Sequence, residues 1–316
     1  MKKVKTLLLS LILISSLFAA IGCRSNKVED NKIKVTLILD EGGVNDESFN
    51  QSAWQGAKEA QDEYKIKANY IESKQESDYK VNIETAIDQG NDLIIGVGFK
   101  LADAIKEAAI NYPEQKFAII DGSYDEIPNN LRSILFNEEQ AGYLAGLVAA
   151  KVSDSNKFGF IGGMNIPSVS NFAVGYEKAL KEVNPKNELL IQYANSFTDA
   201  AKGKSISAKM YQSGIDIIFT AGGGVNSGVY ESGKEVNKLA VAVDLPQNRL
   251  APDTILTSAL KNVDEGVKIT VKDLVDGKFE GGKIAMFDIS NGGVGYEKTK
   301  LIPEDVIKFV DSKINR

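Results

Sequence analysis

The sequence feature that most constrains the fold is an internal repeat at the scale of a domain. Two sets of four apolar, β-branched runs occur along the chain, and stretches with helical periodicity separate the runs within each set. Corresponding runs start 122 to 124 residues apart. Because strands that alternate with helices form βαβ units, each half is predicted to contain a parallel sheet. The predicted strands are 33–39, 66–71, 92–97 and 116–120 in the first half, and 157–161, 188–194, 215–219 and 238–243 in the second.

The repeat predicts an α/β protein with two Rossmann-like lobes. It is expected to stop after residue 246, where further strands (254–260 and 283–287) and helices (262–276 and 303–314) pass back and forth as a hinge with several crossings. The expected division is a signal peptide at 1–22, a tether at 23–32, an N-terminal lobe of 33–136 plus 260–287, and a C-terminal lobe of 137–259 plus 288–316.

The first 23 residues match the pattern of an exported lipoprotein. Three lysines among the first five residues precede an apolar run at 7–21, which is too short and wrongly flanked for a spanning helix and indicates a signal segment. The run ends in Ala20-Ile21-Gly22-Cys23, which is similar to a bacterial lipobox, although Ala20 stands where Leu is usual. The pattern predicts that Cys23 carries acyl chains such as palmitate and anchors the protein to a lipid bilayer. The alternative is a buried or free cysteine.

Composition excludes several classes of function. The formal net charge is −6, or −9 once the three lysines of the signal segment are removed, and no basic stripe interleaves with aromatic residues, so nucleic acid is not an expected partner. The chain contains no His, which excludes imidazole bases and His-ligated metals, and its single Cys excludes an internal disulfide. No metal and no cofactor are predicted.

The loop after the first predicted strand is unusually rich in side chains that could hold a ligand. It contains Asp40, Asn45, Asp46, Phe49 and Asn50, and an amphipathic helix follows it. In an open α/β sheet, ligands bind at the carboxyl ends of the strands. The carboxylates of Asp40 and Asp46 could accept amide or imino protons from a base edge, whereas Asn45 and Asn50 offer both donors and acceptors. Several of these residues are equally typical of turns and helix caps.

The repeat pairs further candidates across the two halves. Phe49 and Phe172 are 123 residues apart, as are Asp121 and Asp244, and each Asp follows the fourth strand of its half. This correspondence predicts two equivalent loops that line one cleft, with Asp121 and Asp244 approaching it from opposite lobes. The alternative is that the carboxylates cap helices and the rings belong to the core.

A cation and a third ring complete the candidate set. Lys261 at the end of an apolar segment is the expected partner of the buried carboxylates, which need compensation. Phe197 lies in a polar loop after the sixth predicted strand. Rings from opposite lobes could enclose a planar ligand, while carboxylates could accept hydrogen bonds from vicinal hydroxyls of a sugar.

The glycine cluster at 222–228 is a weak match to a dinucleotide fingerprint. Its spacing is G-x-G-x-x-x-G, and no acidic residue other than Asp244 ends the following strand. A helix entrance whose bare backbone lets a ligand approach closely explains the cluster better.

Four motifs together resemble a known family, the basic membrane protein family of bacterial lipoproteins, with its PnrA-like purine nucleoside receptors. The motifs are DxxxxxDxSFNQxxxxG at 40–56, GFIGGMxxPxxxxFxxGY at 159–176, AGGGxxxG at 221–228, and VDxxQ at 243–247 followed by TSxxK at 257–261. The resemblance covers essentially the whole mature chain, and the loose lipobox is the main departure from it.

The resemblance implies a type I periplasmic-binding-protein fold that captures purine nucleosides (adenosine, guanosine or inosine) without converting them. It also implies delivery to the permease subunits of an ABC-type importer, from a lipid anchor facing the periplasm or cell exterior. By position, Phe49 and Phe197 would stack on the purine, and Asp40 with Asn45 or Asp46 would bind its edge. The ribose would be held by Asp121, Asp244 and Lys261, and Gly222 would give a backbone contact. The alternatives are a sugar-binding protein of the same fold, a nucleoside-processing enzyme, and a surface adhesin for host molecules.

Overall fold

The structure, a computed structural model, describes residues 32–314. The predicted signal segment and the predicted lipid attachment at Cys23 lie outside the described residues. Within the part that is described, no helix is both long enough and apolar enough to cross a membrane.

The described chain forms two six-stranded sheets. The first sheet contains β1 (Lys34–Leu39), β2 (Lys67–Glu72), β3 (Leu93–Val97), β4 (Lys116–Ile120), β5 (Leu131–Phe136) and β11 (Lys283–Phe287). The second contains β6 (Lys157–Gly162), β7 (Glu188–Tyr193), β8 (Ile217–Ala221), β9 (Leu239–Asp244), β10 (Ile255–Lys261) and β12 (Val294–Tyr296). The strand orders are β11-β5-β4-β3-β1-β2 and β12-β10-β9-β8-β6-β7.

The two sheets share one topology. Every strand pair in the first sheet is parallel, and in the second only the short β12 runs antiparallel to its neighbour β10. In each sheet the strand order reverses beside the first strand of the half, between β1 and β3 and between β6 and β8. Such a reversal opens a crevice at the carboxyl ends of the strands, where ligands bind in doubly wound folds. The predicted α/β class with two Rossmann-like lobes is confirmed.

Helices cover both sheets. Those of the described residues are α1 (Phe49–Tyr64), α2 (Asp78–Asp88), α3 (Ala102–Asn111), α4 (Glu138–Val152), α5 (Pro167–Val183), α6 (Ala200–Gln212), α7 (Val225–Glu235), α8 (Val263–Val275) and α9 (Glu304–Ile314). The spacing of apolar residues explains their orientation. In α1, for example, Ala53, Ala57 and Ala60 recur at helical spacing and are fully buried against the sheet.

The chain crosses between the lobes three times. Helix α4 follows β5 of the first sheet but packs on α5 and β10 of the second lobe. Helix α8 follows β10 of the second sheet but packs on α1 of the first lobe, and the chain returns once more between β11 and β12. Two hydrogen bonds tie these crossings together, from Asn137 N to Phe287 O (2.8 Å) and from Asn262 N to Gly293 O (2.9 Å). The expected multi-crossing hinge is therefore present.

The expectation that the repeat stops after residue 246 is wrong. Strand β5 was not predicted, and its first residue, Leu131, lies 124 residues before Ile255, the first residue of β10. The repeat therefore continues through a fifth strand. Arg132 and Ser133 interrupt the apolar pattern of β5, yet both are buried. Arg132 is compensated by Asp273 of α8, at 2.7 Å, and by the ring of Phe279, contacts that only the tertiary structure reveals.

Candidate ligand-binding site

A cavity lies between the two sheets, at the carboxyl ends of their strands. The centre of a water-sized sphere can occupy about 70 Å³ of it, and the space not filled by protein atoms, including solvent at the open side, is about 620 Å³. Residues that follow β1, β3 and β4 line it on one side, and residues at the ends of β8, β9 and β10 line it on the other. The structure brings ten of the eleven predicted ligand-binding residues to this cavity. They are Asp40, Asp46, Phe49, Asn50, Asp121, Phe172, Phe197, Gly222, Asp244 and Lys261.

Asn45 is the exception. Its side chain is exposed and lines a second, more open pocket at the mouth of the cleft. The strand–loop–helix pattern could not distinguish Asn45 from Asp46, because neighbouring residues of an irregular loop have no fixed periodicity.

Asp121 and Asp244 occupy equivalent positions in the two lobes. Asp121 directly follows β4, and Asp244 is the last residue of β9. Both adopt a left-handed backbone conformation, with φ of 61° for Asp121 and 66° for Asp244. Asp is one of the few residue types besides Gly that visit this region readily. Both carboxylates line the one cavity from opposite lobes, as the repeat predicts.

Lys261 forms the centre of a buried ion cluster. Its side chain is 1% exposed, and its Nζ lies 2.8 Å and 2.6 Å from the two carboxylate oxygens of Asp121 and 2.9 Å from Oε1 of Glu138. The three residues come from the end of β10, the end of β4 and the first turn of α4, so the cluster joins both lobes at two of the crossings. The ring centroids of Phe49 and Phe136 each lie 5.3 Å from Nζ. At this distance a ring face attracts a cation.

The buried charges do not balance. Asp121, Glu138 and Asp244 are three buried carboxylates around one ammonium group. Burial lowers the pKa of Lys261, but Asp121, Glu138 and Asp244 raise it, so that its net pKa lies above the ordinary value. Burial raises the pKa of Asp121 to about 6, although Lys261 opposes the shift. Burial likewise raises the pKa of Asp244 to about 7, against the opposing effects of Lys261 and the hydrogen bond from Ser48. A proton on Asp244 below about pH 7 therefore reduces the excess negative charge around Lys261.

The raised pKa of Asp244 gives the ligand-free protein a pH-dependent stability. An unfolded Asp titrates near 3.8, whereas folded Asp244 titrates near 7, so the folded state binds an extra proton between these values. We expect the free energy of unfolding to fall as pH rises from about 4 through 7, with Asp244 contributing about 1 kcal/mol per pH unit. Burial also raises the pKa of Asp121, so Asp121 contributes with the same sign.

Urea denaturation of the ligand-free protein at a series of pH values measures this dependence. The variant Asp244→Asn should show a shallower decline between pH 5 and pH 7 than the unmodified protein. Equal slopes in the two proteins would contradict the assignment of the proton to Asp244.

Some polar side chains of the loop before α1 stabilise the loop and the helix, and some line the cavity. Asp46 accepts hydrogen bonds from the backbone N–H groups of Ser48 (2.9 Å), Asn50 (2.9 Å) and Gln51 (3.0 Å), and so caps the start of α1. Asp40 accepts hydrogen bonds on Oδ1 from Gly42 N (3.0 Å) and Asn50 Nδ2 (2.8 Å). Burial raises the pKa of both aspartates. The capping alternative therefore applies to Asp46 even though its side chain lines the cavity.

The aromatic candidates differ in their roles. Phe49 and Phe197 are partly buried and line the cavity from opposite lobes. Phe99, which the sequence did not single out, lies with its ring centroid 6.4 Å from that of Phe197. Phe172 is only 2% exposed, and its ring packs edge-on against Phe219 in the core at 5.8 Å. Phe172 therefore forms part of the cavity wall and offers no free ring face to a ligand. The difference arises because Phe172 lies in the middle of α5, whereas Phe49 is the first residue of α1.

The backbone of Gly222 is largely engaged within the protein. Its N–H donates to Asn226 Oδ1 (2.8 Å), and its carbonyl accepts from Val225 N (3.1 Å). A Cβ on Gly222 would lie 3.1 Å from Val225 Cβ and 3.3 Å from Gly163 N. Gly222 therefore allows a close turn into α7, and its carbonyl retains one lone pair for a ligand.

Residues that the sequence analysis missed join the two lobes beside the cavity. The Ser48 hydroxyl donates to Asp244 Oδ2, and Gln247 Nε2 donates to the carbonyl of Glu47 at 2.8 Å. Glu138, which binds Lys261, was not among the predicted site residues. The serine of the SFN motif was a visible signal for Ser48, but nothing near Glu138 in the sequence indicates a partner that lies 123 residues away.

No group of three or more acidic, His or Cys side chains within residues 32–314 has the arrangement of a metal site.

A family model for the ABC transporter substrate-binding proteins described as PnrA-like matches residues 33–315. The chain belongs to this family, Bmp.

Curated members of the Bmp family match almost the whole chain. The ABC transporter nucleoside-binding protein BmpA of Lactococcus lactis subsp. cremoris is 37% identical, with 93% of this chain and 91% of the relative covered. Basic membrane protein A of Borreliella burgdorferi is also 37% identical, with 96% and 91% covered. The resemblance inferred from the four motifs is confirmed.

A solved structure of an ABC transporter solute-binding protein from Aeropyrum pernix K1 has the same fold. Its TM-score is 0.80 at 29% identity, with 90% of this chain and 86% of that chain covered. The predicted type I periplasmic-binding-protein fold is confirmed. Members of the Bmp family are substrate-binding proteins of ABC transporters, so a captured solute and permease subunits are the partners of this chain.

Proposed function

We propose that this Bmp protein captures purine nucleosides in the cavity between its lobes and delivers them, chemically unchanged, to an ABC-type importer. The N-terminal lobe comprises residues 33–136 and 262–287, and the C-terminal lobe comprises 137–261 and 288–314; the boundary expected at residue 260 moves to 262 because β10 of the second sheet extends to Lys261. A lipid on Cys23 holds the protein at the outer face of a cell membrane. Closure of the lobes around the nucleoside excludes water and selects the closed state.

The observation that carries the proposal is the combination of rings and acids in one cavity. Phe49 and Phe197 offer rings from opposite lobes, and base–aromatic stacking contributes about 1–3 kcal/mol per base. Asp121 and Asp244, at equivalent strand ends, are placed to accept hydrogen bonds from a pair of ribose hydroxyls. A nucleoside is the solute class that presents both a flat heterocycle and vicinal hydroxyls. The printed name of the Lactococcus lactis relative, nucleoside-binding protein, supports the same class.

A free sugar is the second candidate, because the carboxylates and Lys261 could hold its hydroxyls equally well. A sugar would leave Phe197, the carboxylate of Asp40 and the amide of Asn50 without a function. A nucleoside-processing enzyme has less support, because the Ser48 hydroxyl, which donates to the cavity carboxylate of Asp244, is fully buried and does not line the cavity.

The proposal predicts that ring and carboxylate each contribute strongly to binding. In isothermal titration calorimetry with a purine nucleoside, Phe49→Ala and Asp244→Ala should each weaken the affinity at least tenfold, because each removes about 1.4 kcal/mol or more. Tyr112→Ala and Asp253→Ala are matched controls with exposed side chains, and they should leave the affinity unchanged.

Mass spectrometry of small molecules released from denatured, freshly purified protein provides an independent test. The expected release is a purine nucleoside. Release of a pentose or hexose, together with no heat of nucleoside binding, would favour the sugar-binding alternative. Turnover of inosine or adenosine by the pure protein would establish an enzyme.

A further inference from the structure

We infer that the cavity prefers a purine that presents two neighbouring hydrogen-bond donors, and therefore binds guanosine more tightly than inosine or adenosine. The inference concerns the wall formed by Asp40, Asp46 and Asn50, which we call the acceptor wall. It rests on the proposed function, because it assumes that a base stacked on Phe49 turns its edge toward this wall.

Asp40 presents one free carboxylate oxygen to the cavity. Its Oδ1 already accepts hydrogen bonds from Gly42 N and Asn50 Nδ2, whereas the described residues provide no hydrogen bond to Oδ2. A Cβ placed on Gly98 would lie 3.8 Å from this Oδ2 and 3.6 Å from Phe49 Cε1. Both atoms thus surround the same small space beside Gly98. A ring that stacks on Phe49 therefore has its edge within reach of the free oxygen.

Asn50 contributes a second acceptor. Asn50 lines the cavity and is 2% exposed as a residue. Its Oδ1 has almost no exposed surface and no hydrogen-bond partner within the described part of the protein. The orientation of the amide is fixed, because Nδ2 donates to Asp40 Oδ1 at 2.8 Å and a flipped amide would place two oxygens together. A buried acceptor without a partner is unfavourable, because it has lost its hydrogen bonds to water. A ligand that donates to Oδ1 would remove this cost.

Asp46 supplies no donor to the acceptor wall. Its two oxygens are occupied by three backbone N–H groups at the start of α1, so it adds negative potential without changing the hydrogen-bond pattern. Among the residues that line the cavity, the one ammonium group is that of Lys261, and Asp121 and Glu138 hold it. The acceptor wall therefore demands donors from the ligand.

Purine nucleosides differ in what they offer to such a wall. The guanine edge carries N1–H and the exocyclic 2-amino group side by side. Hypoxanthine, the base of inosine, keeps N1–H but lacks the amino group. Adenine has its exocyclic 6-amino group, but its N1 is a lone pair that would face a carboxylate. A well-placed pair of hydrogen bonds to a base edge discriminates between bases about 5- to 150-fold. We therefore expect guanosine to bind at least tenfold more tightly than adenosine, with inosine between them.

Calorimetric titration of the purified protein with guanosine, inosine and adenosine tests the order, and Asp40→Asn tests its cause. In this variant the amide oxygen can keep the hydrogen bonds from Gly42 and Asn50, so that the amino group takes the place of the free Oδ2. Guanosine should then bind at least tenfold more weakly. Xanthosine, which has a carbonyl at C2 where guanosine has the amino group, should bind more tightly than it binds to the unmodified protein. A gain of affinity cannot result from misfolding. Asp253→Asn is the matched control, and it should change neither affinity.

The outcomes distinguish the inference from the function on which it rests. If no nucleoside binds, the proposed function and the inference both fail. If nucleosides bind but adenosine matches guanosine, or if Asp40→Asn weakens every nucleoside without a gain for xanthosine, only the inference about the base edge is overturned.

Discussion

Replacement of Lys261 by Met is expected to lower the free energy of unfolding by about 3–5 kcal/mol and to abolish measurable nucleoside binding. Met has nearly the volume of the Lys side chain, so the change removes the ammonium group while largely preserving packing. Asp121 and Glu138 then face each other without a cation in a fully buried site. Because the cluster joins two of the three crossings, its loss also weakens the hinge that closes the lobes.

Chemical denaturation at pH 7.5 measures the stability effect, and calorimetry measures the binding effect. Lys272→Met is the control, because Lys272 forms an exposed i,i+4 ion pair with Asp276, and such pairs contribute about 0–1 kcal/mol. The combined variant Lys261→Met, Asp121→Asn, Glu138→Gln should recover much of the lost stability, since no buried charge of the cluster remains. It should not recover binding. A Lys261→Met protein as stable as the unmodified one would refute the charge-compensation account.

The second large effect is expected at Gly175, where α5 touches α4. A Cβ on Gly175 would lie 1.9 Å from the carbonyl oxygen of Glu139, so Ala forces the two helix backbones apart. Such overpacking costs about 1–3 kcal/mol, and a clash with a backbone carbonyl at 1.9 Å should reach the upper end, about 3 kcal/mol. Ala brings a helix-propensity gain of about 1 kcal/mol, which offsets only part of this cost. We expect a net loss of about 2 kcal/mol in the free energy of unfolding.

The same substitution should also weaken ligand binding, because Glu139 adjoins Glu138 at the start of α4 and its displacement moves a carboxylate away from Lys261. Val174→Ala is a neighbouring control on the exposed face of α5, where Val174 is 53% exposed, and it should change stability by less than about 0.5 kcal/mol. Equal stability of Gly175→Ala and Val174→Ala would show that the helices can separate without cost.

Most strands and helices could be predicted because their signals are local. Eight strands of the repeat were recognised from continuous apolar runs, and their ends differ from the observed ends by at most two residues, as for 215–219 against Ile217–Ala221. Strand β5 could not be recognised, because the burial of Arg132 depends on Asp273, which lies 141 residues later. Strand β12 has only three residues, too few for an alternating pattern to emerge.

In the candidate site, too, local features could be predicted from the sequence, whereas features that depend on packing could not. The positions after β1, β4 and β9 could be predicted to share a cleft, because parallel strands place their carboxyl ends at one edge and the repeat relates the two halves. The capping role of Asp46 could also be predicted from the sequence, since its hydrogen-bond partners are two to five residues away. The exclusion of Asn45 from the cavity and the burial of Phe172 in the wall depend on how the loop and α5 pack.

By itself, the sequence determined that the protein consists of two related α/β halves with acids and rings at their strand ends, because hydrophobic periodicity and strand-end positions are properties of short segments. Only the tertiary structure decided which side chains compensate each other. Lys261 is neutralised by residues 140 and 123 positions away, and α4 and α8 each pack on the lobe opposite to the strand that precedes them. Pairings over such distances follow from the three crossings of the chain and leave no periodic signal in the residues around them.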